Sequence, residues 1–315
     1  MKDVFAVCPN PSVDITASVV KLETGALNRV QTPVVTYSGK AINALKAAAL
    51  LGAAGTASGF MFEEDGDAYK KSLAGFGLQS AFVTLSGSAR RNIKICEDDG
   101  TLTELNSPGA RVGEADKRGL IEATAAESAG YKVSVISGSL PAGCDAGFYG
   151  ELSRAVKSRY KIVDAEGERL LSALSFGATL IKPNRSEAEK LAGTEIRTAA
   201  DAITAMKTLT DSGASVVLLS AGGEGAYISD GKTAFYAKAP KVTVRSPVGA
   251  GDCMVGAAAA FLSGYEGDLN GDALYEILRS AVAAGSASVV TPGTNLFEKS
   301  EYDRIYKDVK PERIR

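Results

Sequence analysis

The sequence predicts an α/β fold with a doubly wound, mostly parallel sheet and a small, separate β-sheet. Three observations lead to this prediction. Short apolar runs alternate with segments of helical periodicity over most of the chain, which is typical of α/β proteins. Several of the apolar runs are continuous, as expected for parallel strands that are covered on both faces. Two segments break the alternation with strands that have no helix between them, and these predict the separate sheet.

The elements of the predicted main sheet leave room for a helix after most strands. The predicted strands span 4–8, 54–60, 132–136, 160–163, 179–181 and 215–219. The predicted helices span 42–51, 67–77, 114–128, 146–158 and 199–212, and a helix of small and apolar residues follows Asp252. No internal repeat or long linker interrupts the chain, so we predict one domain over residues 1–315.

The two irregular segments, at about 12–37 and 90–107, predict a small sheet set apart from the core. Their strand patterns lie at 13–19, 30–37, 92–96 and 102–105. The last two patterns flank Asp98-Asp99-Gly100, a sequence that favours a hairpin turn. We predict that this small sheet forms a lid over the core.

Composition and charge exclude several classes of function. The chain has 315 residues, of which 45% are hydrophobic and 23% charged, and a formal net charge of -2. Since no basic tract stands out, we expect no nucleic-acid partner. The apolar runs are shorter than the ~20 residues that cross a bilayer, so we expect no membrane partner. The four scattered cysteines form no CxxC pair, which favours reduced thiols and a cytoplasmic location.

The sequence contains no histidine. This absence excludes Ser-His-Asp triads, Cys-His pairs and HExxH zinc sites. A general base in this protein would therefore be a carboxylate, a lysine, a tyrosine or a cysteine.

A glycine-rich turn, Gly249-Ala250-Gly251, opens onto the helix of small residues and is followed by Asp252. The first turn of a helix leaves backbone N–H groups without intrahelical partners, and these groups and the helix dipole favour an anion. A carboxylate beside an anion site suits a base that takes a proton from a hydroxyl attacking a phosphoryl group. Taken alone, the turn is equally compatible with a glycine-rich loop that leads into a tightly packed helix.

Two further motifs follow predicted strands, where α/β sheets place ligands. In the segment 182–187, Asn184 and Glu187 are three residues apart at a helix start and could position hydrated Mg²⁺ against phosphates. The alternative, favoured without further context, is that Asn184 caps the helix and Glu187 completes a capping box. In the segment 220–225, flexible backbone could contact phosphate or ribose, or could form a plain turn.

Basic residues that could contact an anion occur in two further places. Lys40 stands at a predicted helix start, where the helix dipole disfavours a cation, so we expect it to have an anionic partner. Arg90, Arg91, Asn92 and Lys94 on the predicted lid offer further anion contacts. The alternative for these residues is an ordinary solvated, charged face.

Seven motifs occur along the chain in a fixed order. They are Asn10-Pro11-Ser12-Val13-Asp14, 38–43, 90–94, 103–109, Ser137-Gly138-Ser139-Leu140-Pro141, 182–187 and 248–252. Together they resemble the PfkB (ribokinase-like) carbohydrate kinases, and within that family the branch of 1-phosphofructokinases and tagatose-6-phosphate kinases. The resemblance covers essentially the whole chain. Ser38 and Ala41 replace two glycines that are usual in the branch, and Arg91 stands where the branch usually has an apolar residue.

The resemblance implies ATP and Mg²⁺ as cofactors and assigns roles to individual residues. It implies that Asp252 is the catalytic base and that the amides of Gly249, Ala250 and Gly251 bind the transferring phosphoryl group. The residues that it places at the nucleotide are Lys182, Asn184, Glu187, Ser220, Gly222 and Gly225, with Glu187 holding Mg²⁺ through water. Those that it places at the sugar phosphate are Asp14, Gly39, Lys40, Asn43, Arg90, Asn92, Asn106 and Ser139. It also implies that the lid closes over the sugar and joins two copies in a homodimer.

The cationic side chains of Lys40 and Arg90 favour a small-molecule phosphosugar, since a free sugar needs no cation at its far end. The expected reaction is the ATP-dependent phosphorylation of a hexose monophosphate, fructose 1-phosphate to fructose 1,6-bisphosphate. Tagatose 6-phosphate is the nearest alternative acceptor. A kinase for a free sugar or a nucleoside and a catalytically inactive sugar-phosphate sensor are the further alternatives.

Overall fold

The computed structural model describes residues 2–291 and 296–315, which form two β-sheets and the helices around them. The strands are β1 (Lys2–Cys8), β2 (Ser12–Val19), β3 (Val34–Ser38), β4 (Gly55–Phe62), β5 (Gln79–Leu85), β6 (Arg90–Glu97), β7 (Leu102–Asn106), β8 (Tyr131–Ser137), β9 (Tyr160–Asp164), β10 (Ala178–Ile181), β11 (Ala214–Ser220), β12 (Gly225–Ser229), β13 (Ala234–Lys238) and β14 (Glu312–Arg313). The helices are α1 (Lys40–Leu50), α2 (Gly66–Ala74), α3 (Glu114–Ser128), α4 (Gly147–Ala155), α5 (Glu168–Leu174), α6 (Arg185–Ala192), α7 (Ala199–Asp211), α8 (Ala250–Gly264), α9 (Gly271–Val289) and α10 (Lys299–Asp308).

Over residues 2–291 and 296–315, the larger sheet has ten strands in the order β14-β13-β12-β11-β10-β9-β8-β1-β4-β5. From β11 to β5 each strand runs parallel to its neighbours. At the other edge, β12, β13 and β14 pair antiparallel. The predicted doubly wound, mostly parallel sheet is therefore confirmed. Within the described ranges, no helix is long and apolar enough to cross a membrane.

Successive side chains of the central strand β1 enter two different cores. Val4, Ala6 and Cys8 belong to the core that is covered by α1, α2, α8, α9 and α10. Phe5 and Val7 belong to the core on the other face, which is covered by α3 to α7. Because side chains alternate between the faces of a strand, a strand covered on both faces requires a continuous apolar run.

The predicted elements match the structure to within a few residues, and several others were not predicted. The helix predicted at 146–158 ends at Ala155, because Val156 leaves the helical region of backbone conformation. Strand β5 was not predicted, since it lies at the sheet edge and is half-buried, so it has no continuous apolar run. Helix α5 was missed because its seven residues are too few to display a helical period.

The predicted separate sheet consists of β3, β2, β6 and β7 in that order. Strand β2 pairs antiparallel with β3 and parallel with β6, and β6 pairs antiparallel with β7. Strand β3 begins at Val34 and not at residue 30 as predicted. The preceding residue, Pro33, has no backbone N–H to donate to a ladder.

Helix α8 approaches α1 closely because of Gly256. A Cβ at this position would lie 2.3 Å from the carbonyl oxygen of Ala44 in α1, so any larger residue would push the helices apart. On the other side of α8, a Cβ at Gly285 of α9 would lie 3.0 Å from Cγ of Met254. Helix α8 is thus held between α1 and α9, and its first turn is fixed relative to both.

Candidate active site

The turn before α8 supplies backbone N–H groups at the start of a helix. Gly249 has a φ of 83°, which favours glycine, and a Cβ there would meet no atom of the described residues within 4 Å. The amide of Cys253 donates to the carbonyl of Gly249 and makes the first helical hydrogen bond. The amides of Gly249, Ala250, Gly251 and Asp252 precede this bond and can bind an anion.

The same turn is fastened from behind to the end of α9. The backbone amides of Arg245 and Ser246 donate to the carbonyl oxygen of Val289 at 2.7 and 3.2 Å. The Ser246 hydroxyl then accepts from the amide of Val248 at 3.3 Å. These bonds fix the position of the predicted anion site.

Asp252 lies in the first turn of α8 and is only partly exposed. The side-chain amide of Asn43, in α1, donates to Oδ2 of Asp252 at 2.9 Å. Burial and the nearby Asp164 raise the pKa of Asp252 to about 6, against the opposing effects of Asn43, Lys40 and Lys182. A carboxylate with this pKa is ionised at neutral pH and is still basic enough to accept a proton.

Asp164, the last residue of β9, is a buried carboxylate that was not predicted from the sequence. It accepts a 2.8 Å hydrogen bond from Ser137 and forms a 3.4 Å ion pair with Lys182. Burial opposes ionisation of Asp164, but Lys182, Lys40 and Ser137 hold its pKa below the usual value. Its place at the carboxyl end of a predicted parallel strand was the signal that could have found it.

Lys182 and Lys40 bring positive charge to the two sides of this carboxylate cluster. A Cβ at Gly251 would lie 3.1 Å from Nζ of Lys182, so this ammonium group lies beside the anion-binding turn. Nζ of Lys40 is 3.3 Å from Oε1 of Glu166, which confirms that Lys40 has an anionic partner. Burial opposes the ammonium form of Lys40, but Asp164, Asp252 and Glu166 raise its pKa above the usual value.

A cavity of about 240 Å³ lies between the small sheet and the carboxyl ends of the main sheet. Five residues predicted at the sugar phosphate line it, namely Lys40, Arg90, Asn92, Asn106 and Ser139. Its other lining residues are Lys94, Glu104, Gly138, Ala165, Glu166 and Arg169. Both sheets therefore contribute polar groups to one space. Asp14, Gly39 and Asn43, the other three residues predicted at the substrate, are not among its lining residues.

Asp14, predicted at the sugar, is buried beside this cavity and is held by three donors. Its Oδ1 accepts from Ser12 at 2.8 Å and from Asn92 at 2.9 Å. Its Oδ2 pairs with Lys94 at 2.9 Å, and both partners of this ion pair are buried. Lys94 is a site residue that was noted only as a lid cation, and its pairing with Asp14 fixes the carboxylate between β2 and β6.

Arg90 reaches into the cavity from β6. Its Nη1 donates to Oδ1 of Asn92 at 3.2 Å, and its Nε donates to the carbonyl of Asn10 at 3.3 Å. Asn10 in turn donates to Oγ of Ser139 at 3.0 Å. In the part of the chain that the structure describes, Arg90 forms no ion pair, so its charge is available to a ligand.

The residues that depart from the branch pattern fit without strain. Ser38 and Ala41 are buried and have negative φ values, so neither position requires glycine. Gly39 between them does, because its φ is 148° and a Cβ would lie 2.5 Å from Sγ of Cys8. Arg91 points away from the cavity and pairs with Asp65 at 3.0 Å.

The residues predicted at the nucleotide follow the neighbouring strands β10 and β11. The side chain of Asn184 accepts from the amide of Glu187 at 2.9 Å, and Oε2 of Glu187 accepts from the amide of Asn184 at the same distance. The capping box, which was the alternative prediction for these two residues, is therefore present. The amide of Ser220 donates to Pro183 at 3.0 Å, which joins the two segments.

The two predicted glycines of this region have different surroundings. Gly222 has a φ of 57°, and a Cβ there would meet no atom within 4 Å in the described part of the chain, so the space beside its backbone is open there. A Cβ at Gly225 would lie 2.0 Å from the carbonyl oxygen of Ala237. The structure therefore explains Gly225 by its close contact with β13, and its place at a nucleotide stays a prediction.

The first turn of α8 and its partly buried carboxylate lie at the carboxyl ends of the parallel strands, near a cavity lined by cations. This arrangement is typical of a phosphotransferase of the α/β class. Comparison with known proteins agrees. A family model described as pfkB family carbohydrate kinase matches residues 9–300. The chain belongs to the pfkB family of carbohydrate kinases.

Relatives and solved structures of this family match almost the whole chain. The 1-phosphofructokinase of Vibrio cholerae is 30% identical over 314 residues, covering 98% of this chain and 96% of that protein. The 1-phosphofructokinase of Haloferax volcanii is 34% identical over 294 residues, covering 93% of each. The crystal structure of phosphofructokinase-2 from Escherichia coli in complex with fructose-6-phosphate has a TM-score of 0.87 at 30% identity, covering 98% of this chain and 99% of that chain.

Proposed function

We propose that this protein transfers the γ-phosphoryl group of ATP to a hydroxyl of a hexose monophosphate, with fructose 1-phosphate as acceptor and fructose 1,6-bisphosphate as product. The observation that carries the proposal is the position of Asp252. This carboxylate has a pKa of about 6 and lies in the first turn of α8, next to amides that can bind an anion. A base and an anion site this close together suit attack of a hydroxyl on a phosphoryl group.

In this proposal, each group of the site has one task. Asp252 accepts the proton of the attacking hydroxyl, and Asn43 orients the carboxylate through its hydrogen bond. The amides of Gly249, Ala250 and Gly251 stabilise the charge that develops on the transferring phosphoryl group. Fixed N–H groups do this without reorganising, because the turn is fastened to the end of α9.

The nucleotide lies along the ends of β10 and β11 in this proposal. The exposed backbone at Gly222 lets a nucleotide approach closely, and Lys182 places an ammonium group beside the phosphate-binding turn.

Oε2 of Glu187 is used in its capping box, and within the described residues no donor is bonded to Oε1. That single oxygen suits hydrated Mg²⁺, which is bound by few carboxylates together with substrate phosphates. Mg²⁺ held there would neutralise negative charge on the phosphates of ATP.

The charge of the cavity supports a phosphorylated acceptor. Arg90 carries a charge that no described carboxylate neutralises. The charge of Lys40 is only partly neutralised, by an ion pair with the exposed Glu166. A free sugar would leave these cations without an anion. The named activities of the relatives, 1-phosphofructokinase in both, support fructose 1-phosphate over the alternatives.

The small sheet acts as the lid in this proposal, and it also joins two copies of the chain. Its polar face, with Asn92 and Lys94, lines the cavity, so its closure would exclude water from the reaction. The opposite face carries a row of apolar side chains, Val35, Ile15, Ile93 and Leu105, which face one another across the four strands. Exposures of 48% for Val35 and 55% for Leu105 suit burial against a second copy.

A coupled assay of ADP release tests the acceptor. Fructose 1-phosphate, fructose 6-phosphate, tagatose 6-phosphate, fructose and ribose are compared by kcat/KM. We expect fructose 1-phosphate to be the best acceptor and the free sugars to be far weaker. A preference for tagatose 6-phosphate, a preference for a free sugar, or phosphosugar binding without any ADP release would each replace the proposal with one of the alternatives.

A further inference from the structure

Three charged side chains on one side of the cavity form a chain of ion pairs that the function proposed above does not explain. Oε1 of Glu166 is 3.3 Å from Nζ of Lys40, and its Oε2 is 3.7 Å from Nη2 of Arg169. All three residues line the same cavity as Arg90. A carboxylate therefore lies between two cations, inside a space that the proposed function assigns to a phosphosugar.

The loop after β9 holds Glu166 in this position. Asp164 ends the strand, Ala165 is buried, and Gly167 turns the chain into α5 with a φ of 56°. Arg169 follows in the first turn of α5, three residues after Glu166, so one short loop supplies both the carboxylate and one of its cations. The local backbone thus sets the positions of Glu166 and Arg169 relative to each other.

The ion pairs themselves are exposed and are therefore easily replaced. The side chain of Glu166 is 51% exposed and that of Lys40 is 43% exposed. Exposed pairs of this kind contribute little free energy, since water competes for both partners. A phosphomonoester carries up to two negative charges and three acceptor oxygens, so it can bind an ammonium and a guanidinium group better than one carboxylate does.

We propose that Lys40 and Arg169 form an anion subsite for the phosphate that the acceptor already carries, and that Glu166 occupies this subsite until the acceptor displaces it. Arg169 is then a further determinant of acceptor specificity. Glu166 disfavours weakly charged ligands, because a neutral sugar cannot replace a carboxylate between two cations. The inference rests on the proposed phosphosugar acceptor and names the groups that recognise its phosphate.

Binding of inorganic phosphate tests the subsite directly. Isothermal titration calorimetry without nucleotide gives the Kd of the full-length protein and of its variants. We expect E166Q to lower the Kd for phosphate by about 3- to 10-fold, because the competing charge is lost. R169Q should raise the Kd by a similar factor, and R169K should restore most of the affinity because it keeps the charge.

The matched control is E168Q, which removes the same charge two residues away. Glu168 is exposed in the first turn of α5 and does not line the cavity. We expect E168Q to bind phosphate as the wild-type protein does. The inference is overturned if E166Q and E168Q have the same effect, if R169Q binds phosphate normally, or if neither the wild-type protein nor E166Q binds phosphate measurably.

This outcome is separable from the test of the proposed function. If the acceptor assay selects a free sugar, the proposed function fails whatever the phosphate titrations give. If fructose 1-phosphate is the acceptor and the variants bind phosphate alike, only the subsite is wrong.

Discussion

The side-chain amide of Asn43 donates a 2.9 Å hydrogen bond to Oδ2 of Asp252 and so joins α1 to α8 at the proposed base. The two helices meet again at Ala44 and Gly256, where the backbones are in close contact. The orientation of the carboxylate therefore depends on how the two helices pack. A change in that packing should affect the chemistry without touching the substrate.

Replacing Asp252 with Asn tests the proposed base. The amide fills the same space but cannot take a proton from the acceptor hydroxyl. We expect D252N to lower kcat by roughly 10²–10⁴ while ATP affinity is retained. Steady-state kinetics and nucleotide binding measure the two effects. The control is D272N, which changes an exposed carboxylate in the first turn of α9 and should leave kcat unchanged. Near-normal turnover by D252N would reject the assignment of Asp252 as the base.

The pH dependence of kcat/KM should report the ionisation of Asp252. Because its pKa is raised to about 6, the active, ionised form is lost as pH falls through 6. The hydrogen bond from Asn43 lowers this pKa, so N43A should move the acidic limb to higher pH. Asp164 raises it, so D164N should move the limb to lower pH.

Because the two variants should shift the acidic limb in opposite directions, their pH profiles distinguish ionisation of Asp252 from ionisation of another group. They are compared through kcat/KM, which reports the ionisations of the free enzyme and of the free substrates. The substrates titrate identically with every variant, so a shift of the limb between variants reports the enzyme. A limb that stays in place in both variants would mean that a group other than Asp252 controls the rate.

The same raised pKa predicts that the proposed base destabilises the fold. Above pH 6 the folded protein holds an ionised carboxylate that is more stable in the unfolded chain, where its pKa is 3.8. This cost is complete at neutral pH and disappears as pH falls below 3.8. Allowing for the partial exposure of Asp252, D252N should stabilise the protein by about 1–3 kcal/mol at pH 7. Thermal unfolding at pH 7 measures the gain, and a lower Tm for D252N would contradict it.

The sequence predicted most of the parallel sheet and its helices because apolar runs are continuous in parallel strands and periodic in helices. It also located Asp252 and the turn before it, because a chain without histidine has few candidate bases and this carboxylate follows glycines at a helix start. It did not locate Asp164, Glu166 or Arg169. These side chains belong to the site because the strand before them, β9, lies next to β8 and β10 in the sheet. The order of the strands is set by tertiary packing.

Gly256 should control both stability and activity through the contact between α1 and α8. A methyl group at this position would lie 2.3 Å from the carbonyl oxygen of Ala44 and 2.6 Å from Cβ of Ala47, so the helices must separate. We expect G256A to destabilise the protein by about 1–3 kcal/mol. It should also lower kcat, because Asn43 moves away from Asp252.

The control for this change is G264A at the other end of α8. A Cβ there would meet none of the described atoms within 4 Å, so the substitution adds a methyl group without a clash. G264A should leave kcat unchanged and should not lower the Tm. Thermal unfolding and kinetics measure both effects, and a G256A variant that matches G264A in Tm and kcat would show that the contact between α1 and α8 does not control the site.

The apolar row on the small sheet should mediate self-association. Ile93 lies in the middle of this row, between Ile15 and Leu105, and is 37% exposed in one copy. A lysine there would place a charge in the centre of the proposed interface, so I93K should sediment as a monomer at concentrations where the wild-type protein is a dimer. S18K is the control, because Ser18 is an exposed residue on the other face of the same sheet. Analytical ultracentrifugation distinguishes the outcomes. If the I93K variant dimerises as the wild-type protein does, the contact lies elsewhere. If the wild-type protein stays monomeric, the proposed dimer does not form.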